Sequence, residues 1–233
     1  SAQFTVDIVL PRMIHGKLKR STVAHARIVR IDTSKAEQLP GVRAVITARD
    51  LPDVRLGVLT LDEHLLAHDK VRFVGESVAA VAADTPEIAR AGCDLIEVEY
   101  EELPALFDPE EAIRLDPPVV LHEDFDEYEK LLEMAEMDER PPNLWQAYRI
   151  RHGDIDAMFK KAEDEDGFVL ENRYATGYVH TACMEPHAAV AQWSTDGTLT
   201  VWSSGQSPYI ARDGLAQALE LSPSKVRVIM PFV

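Results

Sequence analysis

Eight histidines and two cysteines are the residues of this 233-residue chain with the most capacity for metal or nucleophile chemistry. His64 and His68 stand four apart between Glu63 and Asp69, and on a helix they would share a face. Two imidazoles supply half of a tetrahedral zinc site, and the surrounding acids suit a solvated segment, so the pair reads as a surface turn without metal. The segment His180-Thr-Ala-Cys183-Met-Glu185-Pro-His187 packs four possible ligands into eight residues. Pro186 restricts the backbone between Glu185 and His187, and four such side chains in so short a loop rarely reach one tetrahedral centre; it reads as a buried polar turn. Cys93 and Cys183 lie in unrelated contexts with no Cys-x-x-Cys, which leaves neither a disulfide framework nor a Cys-rich zinc or iron-sulfur site.

Glu99 and Glu101 alternate along a strand-like stretch and would share one face, but nothing local desolvates them, so they read as solvent-facing. Gly-x-Gly-x-x-Gly, Walker and Gly-x-Ser-x-Gly motifs are missing, which removes the common dinucleotide and hydrolase signatures. Gln206, in Ser203-Ser-Gly-Gln-Ser-Pro208, follows a strand and precedes a helix, where α/β units place polar side chains that face ligands. A neutral amide can donate and accept there without adding charge. Two readings stand at this point: a ligand-facing amide, or a glutamine that only satisfies the turn.

The elements that must position these residues alternate between periods of two and about 3.6. Ile14 to Arg20, His25 to Ile31, Val42 to Thr47, Lys70 to Val74 and Ser77 to Ala83 read as strands, with a short helix from Thr33, its cap, to Gln38. Thr85 as N-cap, Pro86 at the first helical position and Glu87 in the first turn predict a helix to about Asp94, then a strand from Ile96 to Tyr100. Further on, strands are expected at Gln146 to Arg151 and Phe168 to Thr176 around a helix from Asp154 to Ala162. A hairpin follows, Ala188 to Ser194 and Leu199 to Ser203 about Asp196-Gly197, then a helix from Tyr209 to Ala218 and a strand from Lys225 to Val233.

Charge divides the chain. Lys plus Arg number 24 against 40 Asp plus Glu, a net charge of −16, and residues 99 to 140 carry 16 of the acids with only 3 bases. Such a balance repels nucleic acid and anionic membrane, and the longest apolar run, Val78 to Ala83, is far short of a bilayer span. A cytoplasmic chain is expected. The fold class is α/β (mixed α+β), with a first domain over 1–105, an acidic Pro-rich linker over 106–143 and a second domain over 144–233. Within the linker, the spacing of Tyr128, Leu131, Leu132 and Ala135 predicts a solvated amphipathic helix from Asp124 to Met137.

The stretches PRMIHGKLKRSTVAHARIVRIDTSKAEQLPGVRAVITARDLP (11–52), KVRFVGESVAAVAAD (70–84) and LIEVEYEELPAL (95–106) closely resemble the a/b hammerhead domain of the aldehyde oxidase and xanthine dehydrogenase family. HTACMEPHAAVAQW (180–193) and GTLTVWSSGQSPYIARDGLAQALELSPSKVRVIMPFV (197–233) are similar to the first part of that family's molybdopterin-binding domain. The resemblance implies a molybdenum hydroxylase large subunit of the xanthine dehydrogenase, aldehyde oxidase and carbon monoxide dehydrogenase kind. There molybdenum on molybdopterin, often the cytosine dinucleotide form, takes two electrons from a substrate carbon while water supplies the oxygen. It also implies 2Fe-2S and FAD on partner subunits, and a small-molecule substrate. Gln206 matches the family's glutamine that hydrogen-bonds the molybdenum oxo ligand.

Where the family loop often reads Ser-Thr-Gln, this chain has Ser204-Gly205-Gln206, which implies a looser loop. The family's GGGFG loop and its general-base glutamate have no counterpart here. No catalytic residue and no direct metal ligand is therefore expected in this chain, which reads as the front portion of such a subunit. It is expected to need the remainder of the molybdopterin-binding subunit, and to hold no cofactor alone. A non-catalytic module for subunit contacts is the alternative.

Overall fold

The computed structural model describes residues 3–164 and 167–232. Its first sheet places β1 (His15–Arg20) and, after β2 (Ala26–Asp32) and α1 (Ser34–Glu37), β3 (Val42–Thr47) on either side of a later central strand. Next along the chain come a short hairpin, β4 (Arg55–Leu56) with β5 (Glu63–His64), then β6 (Lys70–Val71) and the central strand β7 (Ser77–Ala83). β7 pairs antiparallel with both β1 and β3. Its run of Val and Ala is apolar on both faces, as a strand buried on both sides must be, and Val78, Ala79, Val81 and Ala83 are all buried.

Helix α2 (Pro86–Leu95) covers that sheet. The Thr85 hydroxyl accepts from the Ile88 amide at 3.3 Å and Pro86 opens the first turn, as the sequence predicts. Gly92 lets the helix approach closely: a Cβ there would stand 2.8 Å from Val81 Cγ1. β8 (Glu97–Glu102) follows and pairs with β2, which also pairs with β6. Ile31 and Val98 pack into both apolar clusters, one around Val81 and Ile96, the other around Val71 and Val78, so the two sheets close over a continuous core.

Three local expectations differ here. The strand expected over 70–74 stops at Val71, because the chain turns through Gly75 at φ +97° and the Gly75 amide bonds to the Ser21 carbonyl. The Thr33 hydroxyl does not cap α1; it donates to the Glu37 carboxylate at 2.5 Å. The helix expected from Asp124 to Met137 is replaced by a three-residue 3-10 turn, Phe125–Glu127, after α3 (Pro109–Ala112).

Tertiary contacts override helical spacing in that segment. Phe125 and Tyr128 are buried, the Leu61 amide bonds to Glu129 and the Leu131 amide to Leu59, so 129–131 runs as an extended edge along 59–61. Acids there meet particular bases: Glu123 pairs with Lys70 at 2.6 Å, Asp124 with Arg55 at 2.7 Å and Asp126 with Arg140 at 3.0 Å.

α4 (Ile155–Asp164) forms where expected, but the strands expected at 146–151 and 168–176 do not. Both stretches run outside any sheet among the described residues, with Ile150 and Tyr174 exposed. The hairpin is as predicted: β9 (Ala189–Trp193) and β10 (Leu199–Ser203) about Gly197 at φ +78°. α5 (Pro208–Ala218) then crosses over to β11 (Val226–Ile229), parallel to β10, with Leu199, Val201, Ala216 and Val226 as the core. β11 is shorter than expected, and Val233 lies outside the described residues. Among the described residues no helix is long and apolar enough to cross a membrane.

Candidate functional site

Gln206 sits in the four-residue connection between β10 and α5, at the C-terminal end of a strand in a parallel pair, the position where α/β units meet ligands. Ser204, not Gln206, anchors that connection. Its hydroxyl accepts from the Ala188 amide at 2.9 Å, and its own amide donates to the Ala188 carbonyl at 3.1 Å. Gly205 packs against β11's end, since a Cβ would stand 3.0 Å from Met230 Cε. Gln206 is exposed, and its amide makes no hydrogen bond to any described residue. The local physics is a fixed loop that presents one neutral donor and acceptor outward.

The segment from His180 to His187 is exposed, Met184 wholly so, and is not the buried turn that its composition suggests. The amide of Ala182, itself at φ +50°, donates to His180 Nδ1 at 2.9 Å, and Glu185 accepts from the Thr5 amide at 3.3 Å, so the segment's four candidate ligands have diverged. Glu99 and Glu101 face solvent on β8, as expected, between half-buried Val98 and Tyr100.

His64 and His68 do not lie on a helix. His64 is on β5 and His68 in the loop before β6, and their rings meet at a 44° tilt with centroids 4.5 Å apart. Asp53 joins them, a partner no local spacing signals. Its Oδ1 stands 3.6 Å from His64 Nδ1 and 4.0 Å from His68 Nε2.

A cavity of about 480 Å³ lies between the β4–β5 hairpin and the acidic segment, and His122 on its wall belongs to a second polar cluster. The Tyr128 hydroxyl donates to Asp124 Oδ1 at 2.7 Å and lies 3.0 Å from His122 Nδ1. Burial opposes ionisation of Asp124, but hydrogen bonds from Arg55 and Tyr128 outweigh it and hold its carboxyl at about 2. Burial and the Asp124 acceptor push the Tyr128 phenol up, and burial pushes the His122 imidazole down. Each of Arg55, Asp124 and Tyr128 is committed to another, so the network holds the segment down.

Residues 1–104 match the family model described as the aldehyde oxidase and xanthine dehydrogenase a/b hammerhead domain, and residues 137–233 match that of the molybdopterin cofactor-binding domain. The chain belongs to the aldehyde oxidase and xanthine dehydrogenase family. Among curated relatives of this family, it is 37% identical to the nicotinate dehydrogenase large molybdopterin subunit of Eubacterium barkeri. That alignment covers 98% of this chain and 49% of the relative. A probable xanthine dehydrogenase subunit of Bacillus subtilis (strain 168) is 34% identical over 97% of the chain and 28% of its own length. The fold also matches reconstituted CO dehydrogenase from Oligotropha carboxidovorans with a TM-score of 0.84 at 33% identity, covering all of this chain and 29% of that one. The chain thus spans at most about half the length of these relatives. Gln206 and its loop fall in the part matched to the molybdopterin cofactor-binding domain.

Proposed function

We propose that this chain is part of a molybdenum-dependent oxidoreductase that hydroxylates a small molecule, and that Gln206 is its cofactor-facing side chain. One observation carries the assignment of Gln206: an exposed amide with no partner among the described residues, on a loop fixed by Ser204, within the molybdopterin-binding match. The chemistry fits the group. A primary amide both donates and accepts, so it can hydrogen-bond the acceptor atoms of an anionic centre without adding a charge to a chain already at −16. When bound, the molybdenum-molybdopterin group, in the cytosine dinucleotide form on this reading, supplies the two-electron chemistry. Gln206 Nε2 donates toward it, Ser204 keeps the loop in place, and Gly205 lets the loop close against Met230.

One amide does not retain a large anion, so the rest of the site belongs to residues beyond these 233, with 2Fe-2S and FAD on partner subunits. The chain alone would then hold no cofactor. The relatives named as subunits support such an assembly. The same reading divides the chain into a hammerhead domain over 1–105, an acidic connection over 106–143 and a cofactor domain from 144 onward, supported by the matches at 1–104 and 137–233. It also makes the chain cytoplasmic, supported by two cysteines that are both free.

The test is Gln206→Ala in the complete assembly, with wild type at equal molybdenum content. Nicotinate and xanthine, the compounds in the relatives' names, are the substrates to try first. The rate at which substrate reduces the metal centre should fall roughly ten- to a thousand-fold, the range for one oriented hydrogen bond to a developing charge. Equal rates would show that Gln206 is a loop residue without a catalytic part.

A further inference from the structure

We propose that Asp53, His64 and His68 form a binding site for a divalent transition metal of the zinc class. Among the described residues, this is the one group of three or more His, Cys, Asp or Glu side chains whose ligand atoms all lie within 4.8 Å of one another. Tetrahedral zinc with bonds of about 2.0–2.1 Å spaces neighbouring ligand atoms about 3.3 Å apart. Asp53 Oδ1 and His64 Nδ1 at 3.6 Å are close to that already, and Asp53 Oδ1 to His68 Nε2 at 4.0 Å needs only a small rotation.

The mobile member is the right one. The Asp53 side chain is 79% exposed and accepts no hydrogen bond from a described residue, so it can turn toward an ion. The imidazoles sit on fixed backbone. His64 is on β5, and His68 follows buried Leu66 and Ala67, whose chain is tied by the Ala67 amide to the Ser77 carbonyl at 2.8 Å.

A second observation points to a ligand: His64 Nδ1 is buried and has no hydrogen-bond partner among the described residues, an expense that an ion at that atom would remove. The nearby cations are engaged elsewhere, Arg55 with Asp124 and Arg72 Nε with the Leu121 carbonyl. Two imidazoles and one carboxylate suit zinc, cobalt or nickel, whereas magnesium and calcium require oxygen-rich sets. Such an ion would clip the base of the β4–β5 hairpin to the lead-in of β6.

The test is isothermal titration calorimetry of the chelator-stripped 233-residue chain with zinc chloride alone, and with magnesium chloride as the hard-ion control. Wild type should take up one equivalent of zinc and show no comparable magnesium binding. Asp53→Asn and His68→Gln, both at exposed or half-exposed side chains, should each weaken zinc by tenfold or more, since even outer-shell changes cost about ten- to a hundred-fold. Circular dichroism checks that each variant is folded, and His64→Gln serves as the third variant if it passes. Zinc affinity in the Asp53→Asn/His68→Gln double variant equal to wild type, or magnesium bound as tightly as zinc, would overturn the proposal. Because these ligands belong to the first domain and the readout is binding, failure of the Gln206 reading leaves this result unaffected.

Discussion

Replacing Phe125 by alanine should release the acidic segment while leaving the first domain folded. Phe125 is 5% exposed, lies 5.8 Å from the Tyr128 ring, and carries the Arg140 guanidinium at 4.5 Å and the Lys130 ammonium at 5.0 Å over its face. Truncating a buried Phe costs about 3–5 kcal/mol, a figure that includes its ring and cation contacts. Phe125 belongs to neither apolar cluster of the two sheets, so the loss falls on docking of the segment and shifts its opening equilibrium about a hundred-fold or more. A protease that cuts after glutamate reads this directly, since Glu123, Glu127 and Glu129 flank the ring. Where reclosing outpaces cleavage, the rate follows the open population, so cutting at these sites should rise by a similar factor. Leu131→Ala, at a side chain 51% exposed, should change the rate little. Equal cleavage of wild type and Phe125→Ala would refute docking by Phe125 and return the segment to a free, solvated linker.

Asp124 ties the same segment to pH. Its folded pKa of about 2 is below the ordinary 3.8, so its contribution is complete above about pH 4 and is lost as pH falls toward 2. The shift alone would imply about 2.5 kcal/mol, but a side chain 36% exposed is screened, leaving about 1 kcal/mol; urea midpoints at pH 6 and pH 3 should converge in Asp124→Asn relative to wild type. Gly92→Ala should lower the melting temperature, because a methyl 2.8 Å from Val81 Cγ1 overpacks the helix against its sheet by about 1–3 kcal/mol. That exceeds the helix-propensity gain of about 1 kcal/mol, and a rise in melting temperature would show that α2 does not sit so close.

Elements whose signals are local were legible in the sequence. β7 and α2 appear where the Val-Ala run, the Thr85 cap and Pro86 put them, and Asp196-Gly197 closes the hairpin it predicts. The acidic segment was not legible, because apolar spacing shows which residues seek burial but not against what. Phe125 and Tyr128 go inward, whereas Leu131 and Leu132, members of the same predicted helical stripe, are about half exposed. The stretches 146–151 and 168–176 fail for the opposite reason. Alternation makes a strand only when a neighbour supplies the ladder, and none does among the described residues.

The two candidate sites divide along the same line. Gln206 could be found from its neighbours, since a strand, a Gly-Ser-Pro loop and a helix are enough to place an amide at a strand's end. The Asp53, His64 and His68 group depends on a register that no single segment contains. β4 and β5 set Arg55 opposite His64 and Leu56 opposite Glu63. Asp53 precedes Arg55 by two residues, in a tight turn that the Val54 amide closes onto the Pro52 carbonyl at 2.9 Å, and that turn sets its carboxylate beside His64. A slip of one residue in this hairpin would take His64 from its place opposite Arg55 to the other face, away from Asp53. The hairpin is only two residues per strand, so its register rests on more than its own ladder. The Arg55–Asp124 pair and the 59–61 edge bonded to 129–131 fix it from the acidic segment, which makes the docked segment a condition for the metal group.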